Sequence, residues 1–152
     1  MAKTLAEISE AMRDIDFCTL TTHSGDGSIG GRPMSNNRKV DYSGESWFFT
    51  YDNRLMVRDI ERDANVGLSY LGSAGLMAVV GKPGLFIHVE GKASLIRDPA
   101  RFAEHWDKTL DRWFPLGPET PGLVLIRVAA RRVHYWDGEE EAEVALPAIA
   151  TD

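Results

Sequence analysis

The stretch Gly25–Met34, "GDGSIGGRPM", decides how this chain is to be read. Its first six residues satisfy G-x-G-x-x-G, the spacing of a dinucleotide-binding loop, in which the third glycine opens a helix that faces a pyrophosphate. The residues that follow, "GRPMSNN", place a glycine, a proline and two asparagines where that helix would have to begin. Upstream, "DFCTLTTH" (Asp16–His23) changes hydrophobic period to two and is rich in threonine, which reads as a strand. Between them, "SGDG" supplies glycines able to take the positive φ of a tight turn. The motif match is accidental, and the segment is the return strand of a hairpin. Pro33, which has no N–H to give to a ladder, predicts an edge strand or a bulge there.

The same reading extends in both directions. Thr4 followed by Glu7 is a capping box, and Leu5, Ile8, Ala11, Met12 and Ile15 recur at helical spacing, so a helix is predicted over about residues 4–14. "DYSGES" is a turn and "WFFTY" an aromatic strand; "DNRLMVRDIERD" is a short helix capped by Asp52 or Asn53, with Met56, Val57 and Ile60 inward. Asn65–Gly72 reads as a strand, and Ser73–Gly84 as an insertion or wide loop within the sheet. From Leu85 to Ile96 the pattern alternates, with Leu85, Ile87, Val89, Ala93 and Leu95 on one face. Asp98–Pro99 starts a helix in which Phe102, Trp106, Leu110 and Trp113 form one stripe, read as core. "LVLIRVAARRVHYW" supplies one or two further strands, and residues 139–152 form an acidic tail on a single domain over 1–138. About six strands, mostly joined by tight turns, predict a mainly β protein: a small closed antiparallel barrel whose helices plug or cover its ends.

Composition narrows function. At 152 residues the chain is one domain, and no apolar run approaches the ~20 residues of a membrane span. "MAKTLAEISEAMRD" lacks the apolar core of a signal peptide, so a cytoplasmic protein is expected. The single cysteine, Cys18, excludes an internal disulfide and reads as a small buried hydrophobe; the four histidines lack metal-ligand spacing, so no metal site is assigned. A net charge of −6 argues against a general nucleic-acid binder.

Two basic-polar clusters remain. In "GGRPMSNNRK", Arg32, Met34, Asn36 and Arg38 share one strand face, with Ser35 and Asn37 on the other. "FFTYDNR" is a strand end leading into a helix N-terminus, where free N–H groups favour an anion. If the two strands are neighbours, Arg32, Ser35, Thr50 and Arg54 converge into a phosphate cradle. Solvated strand arginines are the competing reading, and spacing alone leaves both open. No nucleophile elbow and no serine or cysteine paired with histidine is found, so any chemistry has to come from a bound cofactor.

Taken in order, "TLTTHSGDGSIGGRPMS", "SWFFTY", "VRDIERDANVGLSYLG", "VEGKASLIRD", "RWFPLG" and "PGLVLIRV…HYWDG" resemble the pyridoxamine-phosphate-oxidase-like flavin-binding split barrels, in their bacterial general stress branch. The resemblance covers about residues 4–138. It implies a six-stranded split barrel and a homodimer with FMN, or FAD as the alternative, at each subunit interface. Carried onto these positions, it makes Arg32 a phosphate ligand, with Pro33, Met34 and Ser35 beside the flavin, Phe49 and Thr50 against the ring and ribityl chain, and Trp113 near the ring. Where the family carries serine and lysine as phosphate contacts, this chain has Arg54 and Met56, and Arg54 is the residue able to replace the lysine. The implied function is a flavin protein with weak or conditional oxidoreductase activity using reduced nicotinamide, the alternative being a flavin binder without turnover. True oxidases of the family end in a basic "RLHDR"-like segment; this chain ends in "GEEEAEV", so pyridoxamine-phosphate oxidase activity is not expected, and no catalytic residue is assigned.

Overall fold

The structure, a computed structural model, describes residues 2–36, 41–72 and 84–147. The expected insertion, apart from Gly84, lies outside the described residues, as do Asn37, Arg38 and the last five residues of the tail.

Helix α1 (Leu5–Met12) opens with the predicted capping box: the Glu7 N–H donates to Thr4 Oγ1 and the Thr4 N–H to Glu7 Oε1, both at 3.2 Å. Strands β1 (Phe17–His23) and β2 (Ile29–Ser35) form the predicted hairpin. Its turn is closed by Ser24 N–H donating to Ser28 O at 2.8 Å, and Gly27 takes φ +87°, a conformation that L side chains resist. Asp26 accepts from both the N–H and the hydroxyl of Ser28, which fixes the turn further. Among the described residues β2 pairs with β1 alone, so Pro33 stands on an edge strand there.

The chain continues through β3 (Glu45–Tyr51), α2 (Leu55–Arg62), β4 (Asn65–Leu71), β5 (Phe86–Ile96), α3 (Pro99–Phe102), β6 (Leu123–Asp137) and β7 (Glu140–Val144). Every strand pairing is antiparallel, and the sheet runs β2-β1-β4-β5-β6-β3, with β7 paired to β6. The fold is thus mainly β, a curled antiparallel half-barrel with few helices. β6 is the long member: it pairs with β5 on one side, while on the other Leu123–Ala129 pair with β3 and Val133–Asp137 with β7. The condition set for convergence, that the strands carrying Arg32 and Thr50 be neighbours, is not met within the sheet. β3 pairs with β6 instead, which puts β2 and β3 at opposite ends of the sheet path, and they meet only across a cleft.

Three local readings change. The stretch read as an acidic tail supplies β7, because Val144 alternates with its glutamates and is buried against the sheet. The N-cap of α2 is Arg54, without a side-chain cap, since the Asp52 carboxylate is taken by Arg97 at 2.9 Å. The helix from Pro99 runs for four α residues and one 3-10 turn (Ala103–His105) before the chain extends at Trp106. Asp107 accepts from the N–H and hydroxyl of Thr109, starting a new 3-10 turn (Lys108–Arg112) in competition with a continuous helix. Phe102, Trp106 and Leu110 still pack together with Phe49, Phe114 and Leu125, but Trp113 is 54% exposed.

The main core lies under the sheet, where α1 and α2 bury Ile8, Met12, Val57 and Ile60 against Leu20, Leu68, Val89 and Val133. Cys18 belongs to it, and burial pushes its thiol up to about 12, as suits a structural rather than a reactive cysteine. At Glu90/Gly91 the β5–β6 register shifts, leaving Arg131 as the extra residue of a bulge. A Cβ on Gly91 would stand 2.9 Å from the Ala129 carbonyl oxygen and 2.8 Å from Val128 Cγ1. Gly91→Ala is therefore expected to destabilise the protein by ~1–3 kcal/mol, read as a lower urea midpoint at unchanged m-value.

Candidate functional site

The two edge strands, the start of α2 and the turns after Trp106 enclose a cleft of about 530 Å³. All nine residues singled out from the sequence line it. From β2 come Arg32, Pro33, Met34 and Ser35; from β3 come Phe49 and Thr50; Arg54 and Met56 come from the α2 start, and Trp113 from the far wall. Because β2 is an edge strand, residues from both of its faces border the cleft, inward Met34 as well as outward Pro33 and Ser35. Met56 is buried in the main core, so it contributes an apolar wall.

Arg32 does not extend into water. Its Nη1 donates to Leu20 O at 3.0 Å and to Thr22 Oγ1 at 2.8 Å, and more weakly to Gly30 O at 3.3 Å. Thr22 in turn donates to Asp59 Oδ2 at 2.8 Å, and Arg32 Nη2 lies 3.7 Å from the same oxygen. Arg62 holds the other carboxylate oxygen at 2.9 Å. Burial pulls the Arg32 guanidinium below its ordinary value, with Asp59 acting in the opposite direction.

Arg54 is held differently. As N-cap of α2 it leaves the Leu55 and Met56 N–H groups without intrahelical partners, and its guanidinium lies over the Tyr51 ring at 5.5 Å. The aromatic wall is braced by edge contacts, Phe49 to Trp106 at 4.8 Å and Phe49 to Phe102 at 5.7 Å. Trp47 and His105 stack at 3.7 Å and separate the cleft from a smaller cavity of about 310 Å³ that also borders Met12 and Tyr42. Desolvation lowers the His105 pKa, which favours the neutral imidazole in this stack. The cleft thus combines two guanidinium groups, the hydroxyls of Ser35 and Thr50 and a helix N-terminus with planar apolar walls. Such a site can take an anion joined to a flat ring. Among the described residues no group of three or more His, Cys, Asp or Glu side chains is placed to hold a metal ion, and no helix is long and apolar enough to cross a membrane.

Sequence reasoning missed Thr22 and Asp59, the buried partners of Arg32, 1% and 4% exposed. Both had left a signal. Thr22 shares the inward face of β1 with Cys18 and Leu20, and Asp59 falls within the inward stripe Met56, Val57, Ile60; a polar group in an apolar stripe needs a buried partner. Trp47, His105 and Phe114 were also missed as cleft residues, since their placement depends on how the sheet curls.

A curled antiparallel sheet with a cleft between its two edge strands defines a split barrel. The sequence pattern described as Pyridoxamine 5'-phosphate oxidase like matches residues 3–151, and the chain belongs to that family. Among solved structures it is similar to a protein related to general stress protein 26 from Clostridium acetobutylicum, with a TM-score of 0.76 at 16% identity over 91% of this chain and 92% of that one. The general stress FMN/FAD binding protein of Xanthomonas citri matches with a TM-score of 0.71 at 20% identity, covering 97% of both chains. A heme binding protein from Mycobacterium smegmatis matches with a TM-score of 0.73 at 11% identity, over 94% of this chain and 58% of that one. These likenesses establish the shared fold. No curated protein matches the sequence.

Proposed function

We propose that this chain is a flavin-binding protein that takes FMN, with FAD as the alternative, in the cleft between β2 and β3. The observation that carries the reading is the cleft's pairing of Arg32 and Arg54 with Phe49, Thr50, Ser35 and the uncapped start of α2. Guanidinium forks, hydroxyls and free helix N–H groups suit a dianionic phosphate, and the aromatic wall suits an isoalloxazine ring. That the X. citri relative is named for FMN/FAD binding supports it.

A bound flavin would supply hydride transfer, with reduced nicotinamide as the donor; the chain's own part is to bind, orient and shield it. A binder without turnover is the alternative. Aerobic oxidation of NADH and NADPH by the flavin-loaded protein separates the two: a rate above that of free FMN is expected, and a rate equal to it leaves binding alone.

The proposal includes a homodimer. On the outer sheet face, Leu71, Phe86 and Trp136 stand in cross-strand register, and Phe17 is next in the row; all four are exposed. Phe17 also lines the cleft, so this apolar row runs into the site and is the face we assign to the second copy. Leu71→Arg is expected to shift sedimentation from dimer to monomer and to weaken FMN binding with it.

Arg32→Ala should weaken FMN binding by about 1.5–3 kcal/mol, the range for a charge-assisted hydrogen bond, with a smaller loss for Arg54→Ala. Fluorescence titration measures both, and unchanged affinity in Arg32→Ala would remove the phosphate from this end of β2.

A further inference from the structure

We propose that Thr22 and Asp59 are positioning residues that hold Arg32 by one corner of its guanidinium and so reserve its remaining N–H groups for the flavin phosphate. The inference rests on the flavin reading above and adds residues that line no part of the cleft.

The direction of each hydrogen bond is forced. Arginine only donates and a carboxylate only accepts, so the Thr22 hydroxyl, with one proton, must accept from Arg32 Nη1 and give that proton to Asp59. Leu20 O takes a second bond from the same nitrogen. Nη1 is thereby committed to the protein, whereas neither Nε nor Nη2 makes a hydrogen bond to a described residue; Nη2 has only the longer ion-pair distance to Asp59. Gly30 leaves room for this pose: a Cβ there would stand 3.3 Å from Nη2. An arginine on an edge strand otherwise has wide rotamer freedom, and anchoring one corner removes most of it before any ligand arrives.

The charges are consistent with an anion site. Asp59 is buried and contacts two guanidinium groups, Arg32 and Arg62, so the cluster keeps a net positive charge beside the cleft. Neutralised from outside by Arg62, Asp59 serves as a fixed post against which Arg32 is steadied. Asp59 and Thr22 come from different elements, α2 and β1, so the post also ties α2 to the edge hairpin.

The test compares FMN with riboflavin, which has the same ring and ribityl chain without the phosphate, by fluorescence quenching. Thr22→Val is expected to raise the FMN Kd about tenfold while changing that of riboflavin less than about twofold. Thr22→Ser, which keeps the hydroxyl, should restore FMN affinity, and in the Arg32→Ala background Thr22→Val should add nothing further. Equal loss of both ligands, or losses that add to that of Arg32→Ala, would show a purely structural role and overturn the proposal. If Thr22→Val does not fold, Thr22→Ala, which removes the hydroxyl that accepts from Arg32 and sets no methyl group against Asp59, is read by the same ratio, with the same FMN-selective loss expected and an equal loss overturning it. Wild-type protein that binds both flavins equally overturns this inference and leaves flavin binding standing; wild-type protein that binds neither overturns both.

Discussion

The ladder along β6 is the constraint on which the rest depends. This fifteen-residue strand holds β5 along one side and, on the other, both β3 and β7. Because β3 is captured there, it closes the sheet path at the end opposite β2 and leaves two edges facing each other. A barrel sealed by a β2–β3 ladder would have filled that gap with backbone hydrogen bonds. Leaving it open exposes backbone and side chains from both edges to one volume, and this is why nine residues spread from Arg32 to Trp113 border the same cleft.

The second constraint is electrostatic. A carboxylate as buried as Asp59 is tolerated only with partners, and here it has a hydroxyl and two arginines. The arrangement fixes Arg32 at the cleft and fastens α2 to β1, so binding geometry and helix docking are one network. On the opposite wall the equivalent task falls to aromatic packing, with Phe49 wedged between Phe102 and Trp106. One wall is thus polar and directional, the other apolar and shaped.

Much of this was legible in the residues. The turn at Gly27, the edge position of Pro33, the Thr4 cap and the alternation of β5 follow from local rules, and the structure shows each of them. The cleft residues were legible through resemblance, but the reason they converge was not: the sequence makes convergence conditional on β2 and β3 being neighbours, and the curl of the sheet brings the two edges together instead. The helix after Pro99 was overextended because its apolar stripe outweighed Asp107, whose side chain caps a new turn. β7 is hidden in the sequence because four glutamates in the five positions 139–143 mask the alternation that Val144 completes. Thr22 and Asp59 were hidden by distance in sequence, since neither explains the other until α2 is laid on β1.

The outer edge of β2 carries a last consequence. It consists of Gly30, Gly31, Arg32 and Pro33 in succession, a run poor in β-forming side chains, with a charge and a residue that has no amide hydrogen to offer. Such a rim is a poor template for an incoming strand, so the open flank that creates the cleft does not invite edge-to-edge polymerisation into fibrils. In the proposed dimer the second copy would sit on the sheet's broad side instead, where contacts of a twofold pair close on themselves and growth would stop at two.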